Sequence, residues 1–181
     1  MKRLTLLRHA KSSWADTDMR DFDRPLNKRG CQAAIKVGQY LEKNVLQPDH
    51  IHCSSAQRTR ETAARVISAF SQRPSVELHE GLYLASPSAI IAHCKGTLES
   101  IDHLMVIGHN PGIQDATLTL TDATTATAQE IGSIAAKFPT AALACLDFDI
   151  DEWNCLRRQG GQLMGYVTPK DLKDPESPFD E

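Results

Sequence analysis

Leu4-Thr5-Leu6-Leu7 is an apolar run of four residues that stops abruptly at Arg8-His9. So short a run, bounded by charge, reads as a buried strand. The segments behind it decide the fold class. From Asn27 to Asn44, with Ala33, Ala34, Val37, Leu41 and Val45 recurring at spacings of three and four, the pattern is that of an amphipathic helix with Asn27 as its N-cap. The unit then repeats: Ile51-His52-Cys53-Ser54 reads as a second strand, and Ala56 to Phe70 as a helix with Ala63, Val66, Ile67 and Phe70 inward.

Further along, Ser75-Val76-Glu77-Leu78 is a weaker third strand, and Ser86-Pro87 opens a helix that runs to Cys94. His103-Leu104-Met105-Val106-Ile107 is the clearest strand in the chain, and Ile113 to Leu120 a helix behind it. Ala141 to Phe148 and Gln162 to Val167 are two late strands, expected as an antiparallel pair at one edge of the sheet. The Ala- and Thr-rich stretch from Thr121 to Phe138 yields no element. Strands alternating with helices imply an α/β layered domain with a mostly parallel sheet. We expect one domain over residues 1–169 and a polar, loosely held tail over 170–181.

The bulk properties narrow the function. With 181 residues, 41% of them apolar and 24% charged, the chain is long enough for one sizeable core under a polar surface. A net charge of −3 excludes the electrostatic footprint of a nucleic-acid or anionic-membrane binder, so any phosphate affinity must be local. Five scattered cysteines without a Cys-x-x-Cys pair suggest free thiols in a reducing compartment. No apolar run approaches the roughly 20 residues of a membrane span. The N-terminal apolar stretch is too short for an export signal, and a cytoplasmic location is the expectation.

In open parallel sheets, ligands bind beyond the carboxyl ends of the strands. The residues directly after the strands here are unusually reactive: Arg8 and His9 after the first, Ser54, Ser55, Arg58 and Arg60 around the end of the second, Glu80 after the third, and His109 and Asn110 after the fourth. Guanidinium groups offer planar, paired donors suited to phosphate oxygens, so Arg8 and Arg58 would form a clamp. A neutral imidazole can attack phosphorus, and a second can donate to a phosphoryl oxygen. The helix start after Ser54-Ser55 adds backbone N–H groups.

These residues resemble a known family. Arg8-His9-Ala10 is similar to the Arg-His-Gly signature of the histidine phosphatase superfamily, the phosphoglycerate mutase-like proteins. The closer resemblance is to SixA-type phosphohistidine phosphatases. It is carried by Arg8-His9-Ala10-Lys11-Ser12-Ser13-Trp14, Asp23-Arg24-Pro25-Leu26-Asn27, Arg29-Gly30, Cys53-Ser54-Ser55-Ala56, Arg58-Thr59, Leu82-Tyr83 and Gly108-His109-Asn110-Pro111-Gly112, spanning Leu4 to about Pro169. The resemblance implies a three-layer α/β/α domain and a phosphatase that needs no metal or other cofactor. In it, His9 would be phosphorylated transiently while Arg8, Arg58 and His109 hold the phosphoryl oxygens. It further implies a phosphorylated protein as substrate and, in signal transduction, a histidine-containing phosphotransfer protein as partner. A hydrogen bond from the second ring nitrogen of His9, to a backbone carbonyl, should fix its tautomer. Ser12 and Asn110 are further candidates for substrate binding, and Glu80 is the candidate general acid. No long insertion separates Arg58 from His109, so an open, uncapped site is expected; the sequence does not fix the oligomeric state, and a monomer is favoured.

Alternative readings stand beside these. A broad small-molecule phosphomonoesterase would make more use of Glu80, and a module that only binds phosphorylated proteins would use the same arginines. His50 and His52 form a His-x-His pair, but without a third histidine or a carboxylate at a familiar sequence spacing they read as strand-end residues, as do His79, His93 and His103. Lys11, Ser12, Ser13 and Trp14 either shape the pocket mouth or simply pack. Arg24 either touches substrate or begins the first helix, and Asp16, Asp21 and Asp23 read as a solvated acidic loop.

Overall fold

A computed structural model describes residues 1–172, so most of the tail expected over 170–181 lies outside the described residues. Six strands form one sheet: β1 (Lys2–Arg8), β2 (His50–Ser54), β3 (Ser75–His79), β4 (His103–Gly108), β5 (Leu143–Phe148) and β6 (Gly161–Val167). Their order is β3-β2-β4-β1-β5-β6. The first four run parallel, whereas β5 is antiparallel to β1 and β6 antiparallel to β5. The two late strands therefore make the antiparallel edge expected from sequence.

Alternation along each strand sorts its side chains between two helical layers. Leu7, Ile51, Cys53, Met105 and Ile107 face α1 (Lys28–Lys43) and α2 (Gln57–Ile67), which contribute Ala34, Val37, Leu41, Ala63 and Val66. Leu4, Leu6, Leu104 and Val106 face the other way, toward α3 (Pro87–Lys95), α4 (Gly112–Leu120) and α5 (Ala128–Ala136). Helix boundaries follow the capping chemistry: the Asn27 side chain accepts from the Gly30 N–H, and Ser86 from the Ala89 N–H with Pro87 in the first turn.

Helix α5 is the element that sequence periodicity missed. Only Ile134 of its residues is buried, so it has no apolar stripe to read. Its start is marked instead by a reciprocal cap, in which Thr127 accepts from the Glu130 N–H and Glu130 from the Thr127 N–H. No helix among the described residues is long and apolar enough to cross a membrane.

Candidate active site

Parallel pairing of the central strands sets Arg8 directly beside Gly108, and the next residue on each is a histidine. The His9 N–H continues the ladder to the Gly108 carbonyl at 2.9 Å. The two imidazoles consequently meet with ring centroids 5.1 Å apart. Beyond the strand, Ala10 N–H donates to Thr62 Oγ1 on α2 (3.0 Å), and Asn27 N–H to the Lys11 carbonyl (3.0 Å), so the chain after His9 is fixed to both helices of its layer. Gly30 permits this contact, because a Cβ there would lie 2.1 Å from the Lys11 carbonyl oxygen.

The tautomer of His9 follows from one contact: Nδ1 lies 2.7 Å from the Ala10 carbonyl, which can only accept. Nδ1 therefore carries the proton and Nε2 the lone pair. Burial lowers the His9 pKa to about 4, against the opposing pull of the Ala10 carbonyl and with help from the charges of Arg58 and Arg8. At neutral pH the ring is therefore uncharged, with its Nε2 lone pair free of a proton. His109 is neutral for the same main reason, its pKa lowered to about 3 by burial and the neighbouring His9 and Arg58, and its Nε2 meets Ser54 Oγ at 2.8 Å.

Arg8 Nη1 donates to the Phe138 carbonyl (2.7 Å), while Arg58, on the first turns of α2, is held by the main chain and carboxylate of Asp21. Three buried nitrogens in this group have no partner among the described residues: Arg8 Nε, Arg58 Nε and His109 Nδ1, which carries the ring proton when Ser54 donates to Nε2. Buried polar atoms are rarely left so, and convergent N–H donors of this kind suit an oxyanion.

These side chains line an open cavity of about 650 Å³ together with Lys11, Ser12, Trp14, Asp21, Arg24, Asn110 and Lys137. Six of the seven residues expected from sequence are gathered there: Arg8, His9, Ser12, Arg58, His109 and Asn110. Glu80 is not. It is exposed, outside the cavity lining, in the one-turn segment Glu80–Leu82 that follows β3. The next residue, Tyr83, reaches the cavity wall indirectly: its hydroxyl donates to Asp21 Oδ2 at 2.7 Å.

Asp21 is the residue sequence reading missed. It is exposed, as a solvated acidic loop implies, but it also accepts from Arg58 (2.9 Å), Arg24 (2.9 Å) and Tyr83. Partial burial works against its ionisation, but the bonds from Tyr83, Arg58 and Arg24 prevail and hold its pKa at about 2. Arg24 also bonds Ser12 Oγ (2.6 Å) and stacks 3.2 Å from the centre of the Trp14 ring, so both belong to the cavity wall and not merely to the start of a helix.

The model of the histidine phosphatase superfamily (branch 1) matches residues 4–83. An uncharacterised Mycobacterium leprae protein is 31% identical over 169 residues, covering 91% of this chain and all of that protein. The chain belongs to the histidine phosphatase superfamily. Within the superfamily it is of the SixA type: a candidate SixA phosphohistidine phosphatase from Nakamurella multipartitia superposes with a TM-score of 0.80 at 27% identity, over 93% of this chain and 96% of the other. The same fold occurs in a protein histidine phosphatase SixA solved with tungstate, with a TM-score of 0.75 at 20% identity over 94% and 99% of the two chains. The protein is a phosphatase of that superfamily.

Proposed function

We propose that the protein hydrolyses phosphohistidine on a protein substrate, without a metal, through a phosphorylated His9. The observation that carries this reading is the His9 Nδ1 contact with the Ala10 carbonyl, which leaves the Nε2 lone pair free beside Arg8, Arg58 and His109. Nε2 attacks phosphorus as the P–N bond to the substrate ring breaks. Arg8 Nε, Arg58 Nε and His109 Nδ1 donate to the equatorial oxygens as charge develops on them. His9 is then phosphorylated at Nε2 with its Nδ1 proton retained by the Ala10 carbonyl. Water attacks next, the P–N electron pair returns to Nε2, and neutral His9 is regenerated; the proton released from water passes to solvent or phosphate.

The leaving group decides the substrate class. Among the described residues, the only carboxyl group lining the cavity is Asp21, and its three donors keep it ionised, so it has no proton to give near neutral pH. An alkoxide leaving from an ester needs such a proton. A phosphohistidine whose other ring nitrogen is protonated leaves as neutral imidazole and needs none. The open cavity continues into a second hollow of about 460 Å³ bordered by Lys11, Arg29, Lys137 and Lys170, which gives room and positive charge for an acidic protein surface around the phosphorylated side chain. A histidine-containing phosphotransfer protein has the required chemistry. Cytoplasmic action in signal transduction fits this reading.

The test compares phosphate release, in chelator, from a phosphohistidine-bearing protein and from sugar, nucleotide and aryl phosphates. Preference for phosphohistidine, with an acid-labile phosphoenzyme that is absent from His9→Ala, supports the proposal. Preference for esters would make the protein a small-molecule phosphomonoesterase. Tight binding of the phosphoprotein without turnover would make it a binding module.

A further inference from the structure

Outside the cavity lining, four histidines and a glutamate converge on the β2–β3 edge of the sheet. Parallel register places His52 beside Glu77 and Ser54 beside His79. Side chains alternate, so His50 and His52 share one face of β2, and Glu77 and His79 the same face of β3. The opposite face of β2 carries Ile51 and Cys53 into the core under α1 and α2. On the histidine face, α3 adds His93. Ring centroids are 5.0 Å apart for His50 and His52, 4.7 Å for His52 and His79, and 4.8 Å for His79 and His93.

The carboxylate is the hub. Nε2 of His50, His52 and His79 lies 3.6, 4.0 and 3.6 Å from the same oxygen, Glu77 Oε2. Donor atoms of His50, His52 and Glu77 all fall within 4.8 Å of one another. Around a tetrahedral zinc ion with bonds of about 2.0–2.1 Å, ligand atoms stand about 3.3 Å apart. Side-chain rotation that draws these atoms together would close the cluster on an ion. Sequence spacing alone offered no carboxylate to His50-x-His52; the neighbouring strand provides one.

Three further features suit a cation. Among the described residues, the buried Nε2 of His79, which faces Glu77, has no hydrogen-bond partner. His50 Nδ1 is engaged by the Ser75 hydroxyl, which turns Nε2 toward Glu77 as an outer partner of a metal-binding histidine does. Gly81 leaves space for the His93 ring, because a Cβ there would approach Nε2 to 3.0 Å.

We propose that His50, His52, His79 and Glu77 form a binding site for a late first-row divalent cation, zinc above all, with His93 stacked on His79 as its outer wall. Imidazole nitrogens with one carboxylate favour such ions over magnesium or calcium. The ion would staple β3, an edge strand whose side chains are largely exposed, to β2. It takes no part in phosphoryl transfer, and the inference stands whatever the substrate.

The test is zinc titration of metal-stripped protein by calorimetry, with cobalt as a spectroscopic probe of tetrahedral nitrogen and oxygen ligation. One ion per chain is expected, with a raised melting temperature and shifts of the His50, His52 and His79 ring nitrogens in NMR spectra. His50→Ala/His79→Ala, at two partly exposed positions, should weaken zinc at least ~100-fold, and the near-isosteric Glu77→Gln roughly tenfold. Zinc affinity unchanged in the double variant, or no saturable binding to the wild type, would overturn the proposal.

Discussion

The carboxylate of Asp21 lies 2.9 Å from Nη2 of Arg58, so an anion belonging to the protein already touches one of the guanidiniums that face the cavity. Incoming phosphate meets a cavity whose positive charge is partly neutralised. Asp21→Asn removes that charge, and because Asp21 is about half exposed the Coulomb gain is screened. Inhibition by inorganic phosphate should strengthen by roughly two- to fivefold. Unchanged phosphate inhibition would show that Asp21 only orients Arg58.

Glu80→Gln should alter turnover of phosphohistidine less than twofold, about the resolution of the assay. The side chain is exposed and outside the cavity lining, and a proton donor must come within reach of the leaving atom. A hundredfold loss in kcat would restore Glu80 as the acid.

Ser54 and His109 form a graded pair. Loss of a donor to the phosphoryl oxygens in His109→Ala should lower kcat by ~10²–10³ with little change in KM. Ser54→Ala leaves the imidazole in place but frees its Nε2, and roughly tenfold is expected. Equal losses in the two variants would mean that Ser54 itself contacts substrate.

Stability should fall as the solution is acidified from neutrality. His9 and His103 have pKa values lowered to about 4, and His52 and His109 to about 3, burial being the main cause in each. Between these values and the ordinary histidine value near 6.5, the unfolded chain binds protons that the folded one does not. The contribution of these histidines is therefore fully present above about pH 6.5 and is lost as pH drops toward 3–4. Urea unfolding in chelator from pH 7.5 to 4.5 should show a steadily falling midpoint; a flat profile would contradict neutral buried imidazoles.

Gly30→Ala sets a methyl 2.1 Å from the Lys11 carbonyl and must push the segment after His9 off α1. A destabilisation of ~1–3 kcal/mol, or roughly 3–10 °C in melting temperature, should accompany a drop in activity. Full activity at normal stability would show that the segment can shift freely.

Much of this molecule is legible in local pattern. Among the described residues, four of the five α-helices and all six strands follow from periodicity and caps, and the side chains directly after β1, β2 and β4 can reach a common site once those strands are parallel. Helix α5 is hidden because it buries too little to show a period. Asp21 and Tyr83 are hidden because nothing in the order of residues says that the chain before Arg24 folds back over α2, or that the tyrosine following the turn after β3 reaches Asp21.

Interactions within a few residues are enough to set the alternation of strands and helices, the identity of His9 and His109 as strand-end imidazoles, and the arginines that accompany them. Which strands become neighbours was settled by the folded chain as a whole. The pairing of β1 with β4 sets two histidines 100 residues apart side by side, and the pairing of β2 with β3 gives His50 and His52 the carboxylate of Glu77. Both depend on strand order and register, which are fixed by burying two faces of one sheet at once, a condition on the whole chain that no single segment carries.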